Sequence, residues 1–318
     1  MVEWINGIAK ITVPTPFAVG DVHVYVIKGD RLTLIDAGVK TPAAWEAFKH
    51  QLKDLKLIPQ DIEQVVLTHH HPDHIGMLDF FLPDLEVYGH PVNERWINRT
   101  ADFMKQYDAF YLQLFKDSGV PDRLFPKIQQ MKKTLQFACN RSLTGTLLEG
   151  DTPPGMYGWS VIETPGHAQS HIGLLDERRG LFIGGDHLLA HISSNPLLEP
   201  PLPGKAERPK PQLQYNESLK KLLSYPIEKI YPGHGPDVLN IHELVEKRLS
   251  RQHDRAMQVK EMIHEKPLTT FEICKRLFPK VYERELSLTM SETIAQIDYL
   301  QSLDQIHKLE ENGQIFYC

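Results

Sequence analysis

The sequence contains few cysteines, no long apolar run and no excess of positive charge. Its 318 residues include three cysteines, a sparse count that fits a reducing compartment better than a disulfide scaffold. No apolar run approaches the roughly 18 residues of a membrane span. The net charge of −6 lacks the basic footprint of a general nucleic-acid binder. The first residues show no basic segment and no signal-peptide core. We therefore expect a cytoplasmic protein without membrane or nucleic-acid partners.

One short segment is rich in metal-binding side chains. The sequence THHHPDHIG at 68–76 follows the apolar stretch 64–67, which predicts a short buried strand. Imidazole and carboxylate groups suit Zn²⁺ and its first-row neighbours. Four such groups in the pattern H-x-H-x-D-H over residues 69–74 are too many for one tetrahedral ion with an open position. The density suggests two ions that share a site.

Three later segments place further ligand-type residues at predicted strand ends. They are TPGH at 164–167, GGD at 184–186 and YPGHG at 231–235, each preceded by a predicted strand. Their glycines and prolines let the backbone turn sharply, which leaves the ligand side chain at the rim of the sheet. The cysteines Cys139, Cys274 and Cys318 lie outside these motifs and lack metal-like spacing, so we expect structural thiols.

Together with LTLIDAG at 32–38, these motifs resemble the metallo-β-lactamase superfamily, in particular its glyoxalase II-like branch, over roughly residues 10–240. The resemblance implies an α/β fold, the αββα sandwich, and two divalent ions with a bridging hydroxide. Zinc is the preferred metal, with iron or manganese as alternatives. Carried over by position, the first ion takes His69, His71 and His167, the second takes Asp73, His74 and His234, Asp186 bridges both, and Asp36 orients a ligand by a hydrogen bond.

Several residues in or near the motifs have expected roles besides metal binding. Asp73 is also the expected catalytic residue, because it can steer a proton beside the bridging hydroxide. His70 should point away from the metals, since alternate residues of an extended segment face opposite ways. In a subgroup of the resembling hydrolases, residues at the positions of His187 and Asn195 line the substrate pocket. The alternative for both is hydrogen bonding within their loop.

The chain is long enough for two domains. We expect a catalytic domain at 1–240, a connecting helix at 241–266 and a winged-helix-like domain at 267–318. The stretch 92–140 interrupts the α/β pattern with an aromatic, helical period and a break at 119–121. It should form either a wall of the active site or a plain helix pair packed on the sheet. Six prolines between 196 and 211 predict an extended loop near the metals.

The C-terminal segment predicts two helices followed by a β-hairpin that turns at Asn312-Gly313. The second helix should start near a capping box at 289–292. Winged helices often bind DNA, but residues 267–318 carry five Lys and Arg against eight Asp and Glu. This acidic balance would repel phosphate. We therefore expect a packing element or a homodimer contact.

The motifs specify metal-dependent hydrolysis well and the substrate poorly. The leading hypothesis is hydrolysis of a small thioester, ester or lactone, because the aromatic stretch offers an apolar wall. The main alternative is an endoribonuclease or phosphodiesterase of the same fold. A β-lactamase in the strict sense is disfavoured because we expect a cytoplasmic protein. A single-iron redox enzyme and a binding protein without activity are disfavoured because the full ligand set is present.

Overall fold

A computed structural model describes residues 1–311 and 313–318. The strands are β1 (Ile8–Val13), β2 (Val22–Lys28), β3 (Leu32–Ile35), β4 (Gln64–Leu67), β5 (Glu86–Gly89), β6 (Gly145–Thr146), β7 (Ser160–Glu163), β8 (Ile172–Asp176), β9 (Leu181–Gly185), β10 (Lys229–Pro232), β11 (Leu268–Thr269), β12 (Lys308–Glu311) and β13 (Gln314–Tyr317). The helices are α1 (Pro42–Asp54), α2 (Pro72–Ile75), α3 (Asn93–Asn98), α4 (Ala101–Asp117), α5 (Lys127–Lys133), α6 (Pro211–Leu222), α7 (Ile241–Glu265), α8 (Thr270–Leu277) and α9 (Leu286–Ser302). Short 3₁₀ turns lie at Pro59–Asp61, Gly76–Phe80, Asp122–Leu124, Thr134–Phe137 and Glu177–Arg179.

Two mixed sheets form the centre of the molecule. The first has the order β1-β2-β3-β4-β5-β6, antiparallel up to β3 and parallel from β3 onward. The second has the order β10-β9-β8-β7, in which only β9 and β10 run parallel. The loops after β4, β7, β9 and β10 contain the segments that the sequence predicted to carry the ligands, and Asp36 follows β3.

Three apolar layers hold these sheets between helices. Between the sheets, Tyr25, Val66, Leu174, Ile183 and Tyr231 belong to one buried cluster. A second cluster joins the outer face of the first sheet to α1, and a third joins the outer face of the second sheet to α6 and the start of α7. Strands that bury both faces need apolar side chains at successive positions, as VVL at 65–67 provides. The predicted αββα arrangement is present.

The helical stretch after β5 packs on the C-terminal segment. The break at 119–121 separates α4 from the 3₁₀ turn before α5, as the sequence predicted. Phe103, Tyr107 and Phe115 on α4 share a buried cluster with Phe271 and Met290 of α8 and α9. The aromatic face therefore does not lie flat on a sheet. It joins the C-terminal segment 267–318, called the tail below, to the rest of the molecule.

The C-terminal segment contains α8, α9 and a small antiparallel sheet with the order β11-β13-β12. The predicted start of α9 is wrong, because the helix begins at Leu286 and Thr289 lies inside it. The hydroxyl of Thr289 donates to the Glu285 carbonyl one turn back, so it cannot act as an N-cap. β12 and β13 form the predicted hairpin, while the predicted turn residue Asn312 lies outside the described residues.

Within the described part of the chain, none of the helices is long and apolar enough to cross a membrane.

Candidate metal centre

Four loops at strand ends bring seven ligand-type side chains to one place. The ends of β4, β7, β9 and β10 lead into the four loops. Three ligand sets have donor atoms within 4.8 Å of one another. These sets are His69, His71 and His167; His69, His74 and Asp186; and Asp73, His74 and His234. The first and last sets are the two groups that the sequence predicted for two separate ions.

Asp186 lies between these two groups. Its Oδ1 is 3.4 Å from His74 Nε2, and its Oδ2 is 3.6 Å from both His167 Nε2 and His234 Nε2. The nearby Asp73 Oδ2 is 3.3 Å from His234 Nε2. One carboxylate thus faces ligands from both groups, which is the placement that a bridging ligand requires.

Three of the ligand histidines have their Nδ1 held by a defined acceptor outside the cluster. His74 Nδ1 pairs with Asp36 Oδ2 at 2.8 Å, His167 Nδ1 with the Asn195 carbonyl at 2.8 Å, and His234 Nδ1 with the Asp21 carbonyl at 2.7 Å. These carbonyl and carboxylate partners accept hydrogen bonds, so they fix the tautomer that leaves Nε2 free to bind a metal. Metal-binding histidines are commonly oriented in this way.

Four inward ligand atoms lack hydrogen-bond partners among the described residues. His74 Nε2, His167 Nε2, His234 Nε2 and Asp186 Oδ1 are buried without a hydrogen bond. Buried polar atoms without partners cost about 1–3 kcal/mol each, so a protein rarely leaves several of them together. The donor set and its orphaned atoms therefore fit two divalent cations.

The electrostatics favour the same conclusion. Burial, together with the neighbouring imidazoles, holds the pKa values of His69 and His71 well below the usual range, so both rings stay neutral. Burial would raise the pKa of Asp186, but His234 and His74 outweigh it and hold that pKa well below the usual range. The pKa of His74 is raised despite burial, because Asp186 and Asp36 attract positive charge to this position. His69, His71 and Asp186 are thus in the neutral and ionised forms that bind metal. The raised pKa values of His74 and of His234, which faces Asp186, reflect negative charge that favours a cation at this position.

Asp36 anchors the centre from a left-handed backbone position, with φ 60°. Its Oδ1 accepts from the Thr68 amide at 2.7 Å, and its Oδ2 accepts from the Thr68 hydroxyl at 2.8 Å as well as pairing with His74. The carboxylate therefore ties the end of β3 to the first ligand loop. This is the orienting position that the resemblance implied.

Gly233 allows the last ligand loop to approach the others. A Cβ at this position would lie 2.3 Å from Asp186 Oδ1 and 2.7 Å from His74 Cε1. Any larger residue would displace a ligand, so the glycine before His234 is required by close contact.

His171 supports the centre and was not predicted. Its Nδ1 pairs with the Thr164 hydroxyl at 2.7 Å, its Nε2 accepts from the Asp186 amide at 3.1 Å, and its ring stacks on His69 with centroids 4.8 Å apart. A lone histidine four residues after His167 gives no local signal. Its role depends on contacts with residues far apart in sequence.

The two residues expected at the substrate pocket have different positions. Asn195 lines the cavity beside the ligands, and its side-chain amide donates to the Leu288 carbonyl at 3.1 Å. For His187 the expectation is wrong, because its ring is fully buried behind the ligand loops, near His171 and Tyr215. The turn after Asp186 carries this ring toward α6, away from the cavity.

A cavity of about 530 Å³ opens onto the ligand cluster. Its walls come from the helices of the stretch 92–140, called the insertion below, from the proline-rich loop and from the start of α9. Apolar side chains dominate the walls, and no Lys or Arg occurs among the described residues that line it. Apolar lining residues include Phe17, Trp96, Met131, Leu135, Ile192 and Leu288.

Comparison with known proteins identifies this arrangement. Residues 18–234 match the family model described as the metallo-beta-lactamase superfamily, a span that contains every ligand described above. The chain belongs to the metallo-β-lactamase superfamily. Its buried His/Asp cluster is compatible with a binuclear metal site, which fits a metal-dependent hydrolase.

Relatives in this superfamily share the whole length of the chain. A protein of Bacillus subtilis named "Probable metallo-hydrolase YqjP" is 45% identical over 312 residues, which cover 98% of both chains. The crystal structure of metallo-beta-lactamase family protein TTHA1429 from Thermus thermophilus matches with a TM-score of 0.82 at 25% identity, over 98% of both chains. A beta-lactamase domain protein from Burkholderia ambifaria matches with a TM-score of 0.81 at 20% identity, over 99% of this chain and 93% of that one. The insertion and the tail are thus shared features of similar proteins.

Proposed function

We propose that this enzyme hydrolyses a small thioester, ester or lactone with the help of two zinc ions. The observation that carries the proposal is the cavity beside the ligand cluster, with its apolar walls and no Lys or Arg among the described lining residues. An apolar wall suits the carbon chain of an acyl compound. Phosphodiester substrates are usually held by cationic side chains, which this cavity lacks.

The chain's own residues supply three functions in this proposal. His69, His71 and His167 would hold one ion, Asp73, His74 and His234 the other, and Asp186 both. When bound, two such metal ions lower the pKa of a bound water molecule and polarise a substrate oxygen. Asp73 lines the cavity and faces His234, so it is placed to accept and return a proton during hydrolysis. The apolar walls would exclude water from the acyl group.

Purified enzyme, reconstituted separately with zinc, iron or manganese, should be assayed on four substrates. These are a butanoyl thioester, p-nitrophenyl butanoate, a γ-lactone and bis-p-nitrophenyl phosphate. We expect turnover of at least one carbonyl substrate and little of the phosphodiester, with zinc giving the highest rate. Turnover of the phosphodiester alone would favour the phosphodiesterase alternative and overturn the proposal.

We further propose that the chain belongs to the glyoxalase II-like branch. We also propose a division into three parts: a catalytic domain at 1–240, a connecting helix at 241–266 and a winged-helix-like domain at 267–318. The order of α8, α9 and the β12–β13 hairpin supports the second assignment. Acidic residues outnumber basic ones in this segment, which favours a role in packing or homodimerisation over DNA binding. The free thiols of Cys139, Cys274 and Cys318 are compatible with a cytoplasmic location.

A further inference from the structure

The segment 194–199 of the proline-rich loop is fixed to the ligand loops at both ends. At its start, the Ser194 hydroxyl donates to the backbone carbonyl of Asp186. At its end, the Glu199 carboxylate accepts from the Gln169 amide at 2.7 Å, in the ligand loop that follows β7. The residues between these two ends lie close to the metal centre and reach the tail.

The insertion meets the end of this segment through Trp96. Its indole donates to the second carboxylate oxygen of Glu199 at 3.1 Å, and its ring stacks on His70 with centroids 4.4 Å apart and planes 1° apart. His70 points away from the ligand cluster, as expected, and its Nδ1 pairs with the Ser170 hydroxyl at 2.8 Å. The end of the segment is therefore held by the insertion and by two ligand loops.

Asn195 makes two contacts that lead in opposite directions. Its backbone carbonyl accepts from His167 Nδ1 at 2.8 Å, and its side-chain amide donates to the Leu288 carbonyl of α9 at 3.1 Å. Because Pro196 follows, the backbone of Asn195 is restricted to extended conformations. The carbonyl therefore has little freedom of its own, and a displacement of the side chain carries the carbonyl with it.

Helix α9 is a rigid anchor for this side chain. Near its start, Met290 and Ile294 pack in the aromatic cluster of the insertion. Further along, Ile297 and Leu300 pack in a second cluster with apolar residues of α7. A helix that is held on two sides keeps its position when a neighbouring loop moves, so it fixes the Asn195 amide relative to the metal centre.

Two other ligand histidines are oriented without the tail. His74 Nδ1 is held by Asp36 directly after β3, and His234 Nδ1 is held by the Asp21 carbonyl directly before β2. Both acceptors thus belong to the first sheet. Of these three oriented histidines in the described part of the chain, His167 is the one whose acceptor is tied to α9.

We infer that Asn195 is a positioning residue that makes the affinity of the first metal ion, but not that of the second, depend on the tail. The first ion is the one that His69, His71 and His167 would hold. Without the side-chain anchor the carbonyl shifts, and the imidazole of His167 loses its fixed direction. The inference goes beyond the proposed function, because it concerns metal binding and holds for any substrate.

Two single-site backgrounds separate the ions in the test. His234→Ala removes a ligand of the second ion alone, and His71→Ala removes a ligand of the first ion alone. Asn195→Leu, similar in size but without a donor, is added to each background, and the zinc Kd is measured by competition with a chromogenic chelator. In the His234→Ala background the Kd should rise about tenfold, at the lower end of the loss seen when the partner of a metal ligand is removed, because the carbonyl itself remains. In the His71→Ala background it should stay within about threefold.

Ser291→Ala is the matched control. The Ser291 hydroxyl accepts from the Leu198 amide at 3.3 Å, so it joins the same loop to the same helix without a contact to Asn195. The control should lower the thermal stability of the metal-free protein, because it leaves a buried amide without an acceptor, and should keep the Kd of the first ion within about threefold. Equal losses of first-site affinity in the two variants would show that loosened packing is the cause and would overturn the inference. An unchanged Kd in Asn195→Leu would overturn it as well.

Hydrogen exchange of the wild type tests the coupling in the other direction and needs no folded variant. A coupling between two sites acts equally on both, so zinc should slow amide exchange in 286–292 more than it does in α1. This extra protection should be absent from Asn195→Leu loaded with zinc. A wild-type segment 286–292 that zinc protects no more than α1 would overturn the inference. None of these measurements requires turnover, so they stand apart from the substrate assays.

Discussion

At the scale of single residues, the left-handed backbone of Asp36 decides where its carboxylate points. Only glycine, asparagine and aspartate adopt this conformation readily. At φ 60° the carboxylate reaches the Thr68 amide, the Thr68 hydroxyl and His74 together. The first ligand loop is thus positioned by one side chain from a neighbouring strand.

Replacing Asp36 by alanine should weaken zinc binding by about 10- to 100-fold, as observed generally when a residue that orients a metal ligand is lost. The substitution removes the acceptor for His74 Nδ1 and adds strain of about 1–2 kcal/mol in the left-handed backbone. Competition with a chromogenic chelator measures the affinity. Asp36→Asn is the control, because asparagine tolerates this backbone and can still accept from the Thr68 amide. An alanine variant with affinity within threefold of wild type would contradict the role.

Replacing Asp73 by alanine should abolish hydrolysis, with a loss of about a thousandfold or more, and reduce bound zinc from two ions toward one per chain. Asp73 faces His234 at 3.3 Å, so its loss removes a ligand of the second ion and the proposed proton acceptor. Plasma mass spectrometry counts the metal, and circular dichroism checks the fold. The exposed Asp102→Ala is a suitable control. Two retained ions with turnover within tenfold of wild type would refute the assignment.

Glu199 should make stability depend on pH. Its pKa rises from 4.5 to about 7 on folding because burial disfavours the charged form. The folded state therefore binds this proton more tightly than the unfolded state does. The resulting contribution to the free energy of unfolding is fully present below about pH 4.5 and is lost as the pH rises through about 7. Ionisation at pH 8 should cost about 3 kcal/mol.

Glu199→Gln removes this titration. Urea unfolding of wild type and variant at pH 5 and pH 8 measures the effect, with the other titrating groups cancelling in the difference. Relative to the wild type, the variant should gain about 3 kcal/mol in free energy of unfolding between the two pH values. A difference in unfolding free energy between wild type and variant that is the same at both pH values would show that folding does not raise the pKa of Glu199.

At the scale of elements, the proline-rich loop between β9 and α6 is held without any helix or strand of its own. Tyr111 of α4 donates to the Leu198 carbonyl at 2.6 Å, and the Leu198 amide donates to the Ser291 hydroxyl of α9 at 3.3 Å. Arg208 forms a two-bond ion pair with Asp298, each bond 2.7 Å long. The loop therefore links the insertion to the tail while its Asn195 carbonyl orients His167.

The start of this loop depends on Arg248 of α7. Its guanidinium donates to the carbonyls of Leu189 and Ile192 at 2.9 and 2.8 Å. Arg248→Met should lower the free energy of unfolding by about 2–3 kcal/mol, because it removes a charged donor from two backbone carbonyls and leaves that of the buried Leu189 without a partner. Cleavage within 191–210 in limited proteolysis should also become faster. Arg251→Met, an exposed change on the same helix, should leave both unchanged, and equal behaviour of the two variants would contradict the role of Arg248.

The sequence predicts the elements of this site well where the signal is local. His69, His71, Asp73 and His74 follow one apolar strand, so their position at a sheet edge can be inferred from a few neighbouring residues. The same holds for His167, Asp186 and His234. The break at 119–121 and the proline-rich loop are also predicted, because glycine and proline limit the backbone directly.

The rest depends on contacts between distant parts of the chain. His171 and Glu199 are important through partners up to a hundred residues away, and neither lies in a recognisable motif. His187 follows a ligand directly, yet the turn after Asp186 directs it away from the cavity. The start of α9 is mispredicted because Thr289 resembles a cap in sequence and bonds within the helix in the structure.

At the scale of the whole molecule, the tail is part of the active-site architecture. Phe271, Met290 and Ile294 bury the aromatic face of the insertion, and Leu288 lines the cavity. The cavity beside the ligand cluster therefore takes part of its wall from the segment 267–318.

Deleting residues 267–318 should lower solubility and abolish activity, because it uncovers the aromatic face of α4 and opens the cavity. Light scattering and turnover measure both effects.

The intact protein should not bind duplex DNA at physiological salt, since acidic residues outnumber basic ones in the tail. Micromolar binding by fluorescence anisotropy that falls steeply with salt would show the opposite.

The stacking of Trp96 on His70 also gives the enzyme an internal optical probe. Of the four tryptophans in the sequence, Trp96 is the one among the described residues that lines the cavity. Indole emission changes with its immediate surroundings, so a variant with phenylalanine at positions 4, 45 and 159 would report the arrival of a molecule in the cavity as a change in fluorescence. Unknown compounds could then be screened for binding before any reaction is known.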